Sequence, residues 1–135
     1  MAPRRVAGGN LSAPANAGAV DDRRRPRVRV RDEDRRLRPD ELGGQLGARA
    51  TLVQFSSAFC APCRATRRVL GEVAGMVPGV AHVEIDAEAR LELVRELEIL
   101  KTPTVLVLDA HGRVVRRAVG QPRKADVIAA LGEAV

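Results

Sequence analysis

At 135 residues, 45% hydrophobic and 30% charged, the chain has room for one domain with one core. Trp and Tyr are absent and Phe occurs only at 55 and 59, so that core falls to Val, Leu, Ile and Ala. No run approaches the roughly 20 apolar residues that span a bilayer, and Gly8, Gly9, Asn10 and Asn16 interrupt the stretch where a signal peptide needs continuous apolar sequence. A cytoplasmic location is therefore expected, with tethering through an upstream segment left open.

The net charge of +6 is uneven, +4 over residues 1–47 and +2 over the remainder. Residues 1–26, rich in Ala, Gly, Pro, Asn and Arg without hydrophobic periodicity, are expected to form a disordered basic tail. Arg27 to Arg31 alternates Arg and Val as a half-buried edge strand does. The surrounding segment Arg23 to Arg38 has the charge to meet nucleic acid or anionic lipid, but Asp32, Glu33 and Asp34 break it and no aromatic side chain accompanies it for stacking. A solvated segment is the better reading, with neither nucleic acid nor membrane as partner.

Pro39, Asp40 and Glu41 are suited to open a short helix, the acids lying near its positive end. Thr51 to Phe55 is a continuous, mostly apolar strand of the kind buried in mid-sheet. A helix follows Phe59-Cys60-Ala61-Pro62-Cys63-Arg64, with Thr66, Val69, Leu70 and Val73 on its apolar stripe. Gly79 to Asp86 reads as a strand, and Ala89 to Ile99 as a helix with Leu93, Val94 and Leu97 inward, stopped by Lys101-Thr102-Pro103-Thr104. Val105 to Leu108 and Arg113 to Val115 form a hairpin about Asp109-Ala110-His111-Gly112, and Gly120-Gln121-Pro122 introduces a last helix with Val127, Ile128 and Leu131 inward. Strand, helix, strand in the first half implies parallel strands joined by right-handed crossovers; the tight turn makes the last two strands antiparallel. The expected fold class is α/β, a mixed central sheet with helices on both faces.

The chemistry is carried by Cys60 and Cys63, the only cysteines, three apart where strand gives way to helix. In a reducing compartment such a pair reads as a redox dithiol ahead of an inert buried pair or a metal site. Zinc is least favoured, because closed sites need four ligands and His82 and His111 are wrongly spaced to complete one. Cysteines at i and i+3 in a first helical turn share a face, and the first meets unpaired N–H groups and the positive end of the helix dipole, which favour its thiolate. Pro62 sits where a missing N–H costs nothing.

Over roughly Ala50 to Val135 the chain resembles the thioredoxin family. Strand Leu52 to Phe55 leads into Phe59-Cys60-x-Pro62-Cys63; Ile85-Asp86 ends a strand; Thr102-Pro103-Thr104 lies where the family holds a cis-proline; and Asp109-x-x-Gly112 precedes a strand ending in Gly120. The resemblance implies a three-layer α/β/α thioredoxin-like domain within residues 27–135 that exchanges dithiol for disulfide on protein substrates. Cys60 would be the nucleophile and Cys63 the resolver, with Phe59, Ala61, Pro62, Gln54 and Arg64 supporting the site and Phe59 shielding the sulfurs. Thr102, Pro103 and Gly120 would contact substrate. A redox-active Cys60–Cys63 disulfide would serve without cofactor or metal, in a monomer recharged by a thioredoxin-reductase-type flavoenzyme or another thiol donor.

Departures from the family pattern leave the direction of electron flow open. Gln54 stands where thioredoxins commonly carry a buried Asp and cannot take a proton at neutral pH, which leaves His82, Glu84 or water as proton acceptor for Cys63. Ala61 replaces Gly, Phe59 replaces Trp, and Arg68 occupies the place of a kinking Pro. Arg64, Arg67 and Arg68 would make the surroundings of Cys60 positive and the couple more oxidising. An oxidising or isomerising relative, or a binding module without turnover, is the alternative to a disulfide reductase.

Overall fold

The computed structural model describes residues 35–135, so the expected tail (1–26) and the alternating strand Arg27 to Arg31 lie outside the described residues. The elements run α1 (Pro39–Leu42), β1 (Ala50–Ser56), α2 (Ala61–Met76), β2 (Val80–Asp86), a 3-10 turn (Ala87–Ala89), α3 (Leu91–Glu96), β3 (Thr104–Asp109), β4 (Val114–Val119) and α4 (Lys124–Ala134). The sheet order is β2-β1-β3-β4. Strand β1 is buried along its whole length, as its unbroken apolar sequence requires for a strand flanked by two others and covered on both faces.

Side chains alternate across that strand and divide the core. Ala50 and Leu52 face Leu70 and Val73 of α2 and Val127 and Leu131 of α4. Val53 and Phe55 face Leu37, Leu42, Leu93, Leu97 and Ile99 on the other side. Thr66, Leu70 and Val73 are buried together with Cys63, and Val69 half-buried, so the α2 stripe extends one turn further toward the N-terminus than the apolar pattern. In α4 the buried residues are Val127, Leu131 and Ala134. Ile128, expected inside, is exposed, because a residue adjacent to Val127 is rotated about 100° away from its stripe.

Strands β1 and β2 are parallel as expected, but β3 runs antiparallel to β1, so the connection through α3 is not a crossover between parallel neighbours. The expected eleven-residue helix is the 3-10 turn followed by the six residues of α3. It ends at Glu98, which adopts φ 56° while Glu98 N donates to Arg95 O at 3.2 Å and Ile99 N to Val94 O at 2.9 Å. This is a Schellman cap with Glu where glycine is usual, so the stop carries no glycine signature.

The hairpin turn is held by Asp109, whose Oδ1 accepts from the backbone N–H of His111 and of Arg113, each at 2.9 Å. Gly112, at φ +85°, leaves no room for a side chain, since a Cβ there would sit 2.2 Å from Leu37 O. Strand β4 runs on to Val119, beyond the Val115 at which the alternating pattern ends and next to the Gly120 at which the resemblance ends it. Register then determines what meets at one edge. Phe55 pairs with Ile85 and with Thr104, and Thr104 pairs with Val119. The segments after β1 and β2, before β3 and after β4 therefore share one end of the sheet, bringing together Cys60, Asp86, Thr102-Pro103 and Gly120.

Candidate redox site

Cys60 is the N-cap of α2, with extended backbone (φ −112°, ψ 100°), and Pro62 falls in the first turn. Cys63 N, one of the N–H groups that a helix start leaves without an intrahelical partner, donates to Cys60 Sγ at 3.2 Å and to Cys60 O at 3.1 Å. The two sulfurs form a disulfide across Cα atoms 5.1 Å apart, within the ordinary range. The pair is asymmetric: Cys63 is 1% exposed, while Cys60 is half-buried at the rim. Thr66 Oγ1 donates to Pro62 O at 2.7 Å and fixes the turn that carries both.

Phe59, expected to shield the sulfurs, does not. It adopts φ 57° and is wholly exposed, turned away from the protein. Ala61, Pro62 and Arg64 are exposed around the disulfide, and Leu100 lies 94% exposed just ahead of Thr102. No periodic pattern marks Leu100, because it lies in a connection.

The Thr102–Pro103 peptide bond is cis, as the resemblance implies. Ser57 and Thr102 share a hydrogen bond between hydroxyls at 2.8 Å, linking the cysteine loop to the proline segment, and Gly120 N donates to Pro103 O at 2.8 Å. At Gly120 the space around the backbone is open, with nothing within 4 Å of a Cβ built there, and it is φ +89° that calls for glycine. Nothing in the sequence singles out Ser57, since a serine after a strand is an ordinary loop residue.

Gln54 is fully buried behind the resolving cysteine, and each of its polar groups is paired. Its Nε2 donates to Cys63 O at 2.8 Å and to Ser56 Oγ at 2.9 Å, and its Oε1 lies 3.1 Å from His82 Nε2. Arg67 clasps Glu84 with two bonds, 2.7 and 2.8 Å. That contact, aided by the Ser56 hydroxyl, holds the Glu84 carboxyl below its usual range, against the opposing effect of burial. Burial pushes His82 down, Glu84 opposing and Arg67 reinforcing the shift. The expectation of three arginines around Cys60 is thus corrected: Arg67 is committed to Glu84, while Arg64 and Arg68 make no ion pair among the described residues.

Among the described residues no three His, Cys, Asp or Glu come together as a metal site, and no helix is long and apolar enough to cross a membrane. The arrangement suits exchange chemistry: one sulfur is reachable, its partner lies directly behind it, and the helix N-terminus faces the first.

The Thioredoxin family model matches residues 41–133, starting ahead of the Ala50 boundary drawn from motifs. A thioredoxin of Mycolicibacterium smegmatis is 31% identical over 99 residues, 71% of this chain and 85% of that one. A bifunctional thioredoxin reductase/thioredoxin of Mycobacterium leprae is 31% identical over 85 residues, 62% of this chain and 18% of the longer protein. The crystal structure of Fasciola hepatica thioredoxin shares the fold, with TM-score 0.58 and 20% identity over 66% of this chain and 84% of that one. The chain belongs to the thioredoxin family, and its Cys60–Cys63 pair is a thiol–disulfide oxidoreductase centre.

Proposed function

We propose that the protein reduces disulfides in other proteins, with Cys60 as nucleophile and Cys63 as resolver. The reading rests above all on the asymmetry of the pair, one sulfur at the rim and the other buried behind it at the start of one helix. In the reduced protein, the Cys60 thiolate attacks one sulfur of a substrate disulfide; an S–S bond forms to Cys60 and the substrate's other sulfur leaves as thiolate. Cys63, whose proton passes through solvent to the substrate thiolate already released, then attacks Cys60 Sγ, forming the intramolecular disulfide and expelling the second substrate thiolate. Two electrons pass to the substrate, and the dithiol is oxidised.

Thr102, whose backbone groups take no hydrogen bond among the described residues, is free to pair with an extended substrate segment passing Pro103 and Gly120. Phe59 and Leu100 give that segment apolar contact. Recharging requires a two-electron thiol donor. The Mycobacterium leprae relative, whose name joins a thioredoxin reductase to a thioredoxin, supports a reductase-type flavoenzyme in that role, and a reducing cytoplasm is the setting proposed.

The test is reduction of insulin disulfides with a small dithiol as donor. The wild type is expected to turn over, Cys60→Ser to be inactive, and Cys63→Ser to accumulate a mixed disulfide through Cys60. A folded wild type without turnover, or a Cys60→Ser variant that retains it, overturns the proposal.

A further inference from the structure

The hydrogen bonds around Gln54 have a fixed polarity. Cys63 O can only accept, so it requires the amide NH2 of Gln54 to face it, at 2.8 Å. The same nitrogen donates its other hydrogen to Ser56 Oγ, which helps to hold the Glu84 carboxyl below its usual range. With NH2 on that side, Oε1 faces His82, and His82 Nε2 must carry a hydrogen to meet it at 3.1 Å. Among the described residues His82 provides the bond that holds Oε1; without it the amide loses one of the contacts that fix its orientation. The flipped amide would set Oε1 against Cys63 O, two acceptors face to face. The circuit joins β2 through β1 to the first turn of α2, with Arg67 on the next turn returning to Glu84 on β2.

We propose that His82 is a positioning residue of the dithiol centre. Acting through Gln54, it holds the first turn of α2 so that the Cys63 sulfur is placed to attack the bond between Cys60 and a substrate. This deepens the exchange mechanism above and rests on it. Because the circuit touches Cys63 and not the rim, its effect falls on the resolving step; the first attack, by Cys60, is left alone. The charged groups facing His82 are Glu84 from its own strand and Arg67 from α2, and Gln54 on β1 is neutral. Both the neutral Nε2–H form and the imidazolium keep the donor, so protonation does not break the contact.

The experiment mixes reduced protein with a chromogenic bis-aryl disulfide, which releases one coloured thiolate when Cys60 attacks and a second when Cys63 resolves. His82→Leu and Gln54→Leu are expected to slow the second release about tenfold, the equivalent of one hydrogen bond of about 1.4 kcal/mol, and to leave the first within about twofold. His82→Gln, which restores an N–H donor, is expected to recover most of the second rate. Thermal melts establish that each variant is folded. The inference is overturned if a folded His82→Leu resolves at the wild-type rate, if both phases fall together, or if His82→Gln behaves as His82→Leu. Wild type releasing no second thiolate would instead overturn the dithiol mechanism itself, which keeps the two failures apart.

Discussion

Replacing Gln54 by Glu changes one NH2 to an oxygen in a fully buried site, at a cost in stability that grows with pH. Gln54 donates two hydrogen bonds, to Cys63 O and Ser56 Oγ, and accepts one from His82. Once ionised, the side chain introduced by Gln54→Glu would set a carboxylate oxygen against the Cys63 carbonyl. The folded variant therefore holds a proton on the pair made by the new carboxyl and His82, wherever within the pair it resides. The protonated acid donates once, and the lost bond costs about 1 kcal/mol at pH 4. Above the ordinary Glu value of about 4.3, the penalty relative to wild type grows by up to ~1.4 kcal/mol per pH unit while the pair keeps its proton, reaching roughly 3–4 kcal/mol by pH 7. With one proton on the pair in both states, the folded variant and its unfolded chain bind equally many between about pH 4.3 and 6.5, so the variant's own stability is flat there and falls only above about 6.5, where the unfolded His82 releases its proton. Wild type gains stability as pH rises toward about 6.5, because burial lowers His82 and the unfolded chain binds the proton more tightly, so the penalty of the substitution grows with pH. Urea titrations at several pH values, with m unchanged, measure both curves. A penalty that is flat from pH 5 to 7, or smaller at pH 7 than at pH 5, refutes the reasoning.

The same titration of wild type is expected to show the His82 contribution complete above its ordinary value of about 6.5 and lost as pH falls through the lowered folded value, a segment that His82→Gln flattens. Glu84 and Asp109, both held below the usual carboxylate range, contribute stability present above that range and lost at more acid pH. Leu70→Ala, in a fully buried position facing β1 and β3, is expected to cost about 3 kcal/mol through lost transfer energy and an unfilled cavity, and a calorimetric loss under about 1 kcal/mol would contradict the packing described. Glu98→Gly removes an αL penalty of about 1–2 kcal/mol and adds unfolded-chain entropy of about 0.5–1, so Tm should rise by a few degrees; a fall would exclude the cap as drawn.

The parts of this fold readable from sequence are those where one physical requirement dominates a segment. Thr51 to Phe55 is legible because a strand covered on both faces cannot spare polar positions, and the Thr66, Leu70, Val73 stripe because a helix has one period. The Cys60 site is legible from two cysteines at the end of such a strand. What escapes depends on atoms that only the fold brings together. Glu98 ends α3 in a conformation that sequence assigns to glycine, the antiparallel direction of β3 follows from a connection of few helical turns, and the Ser57–Thr102 bond joins residues 45 apart. Gln54 stands out in sequence only for lacking a titratable proton; its contact with Cys63 O depends on how β1 lies against α2.

Charge around the disulfide bears on the direction of electron flow, and the structure narrows the argument from three arginines to one close group. Arg67 is neutralised by Glu84, and Arg68 lies a full turn beyond Arg64 along α2, which leaves Arg64, without an ion pair among the described residues, as the cation of the first turn. Gln54 adds no negative charge that would oppose thiolates in the reduced state. Both effects favour the reduced form, as a lowered thiol pKa does in oxidising relatives. If Arg64 and the absent carboxylate together stabilise the reduced form by about 1.4 kcal/mol, the two-electron potential rises by about 30 mV from the roughly −270 mV of thioredoxin, to about −240 mV. Equilibration of the Cys60/Cys63 pair against redox buffers measures it, and Gln54→Glu should move it back down at a pH where the new carboxyl has released its proton. A value at or below about −270 mV would show that these charges do not set the couple, and one near about −120 mV, the range of a strong oxidant, would overturn the reductase reading by making disulfide donation the downhill direction.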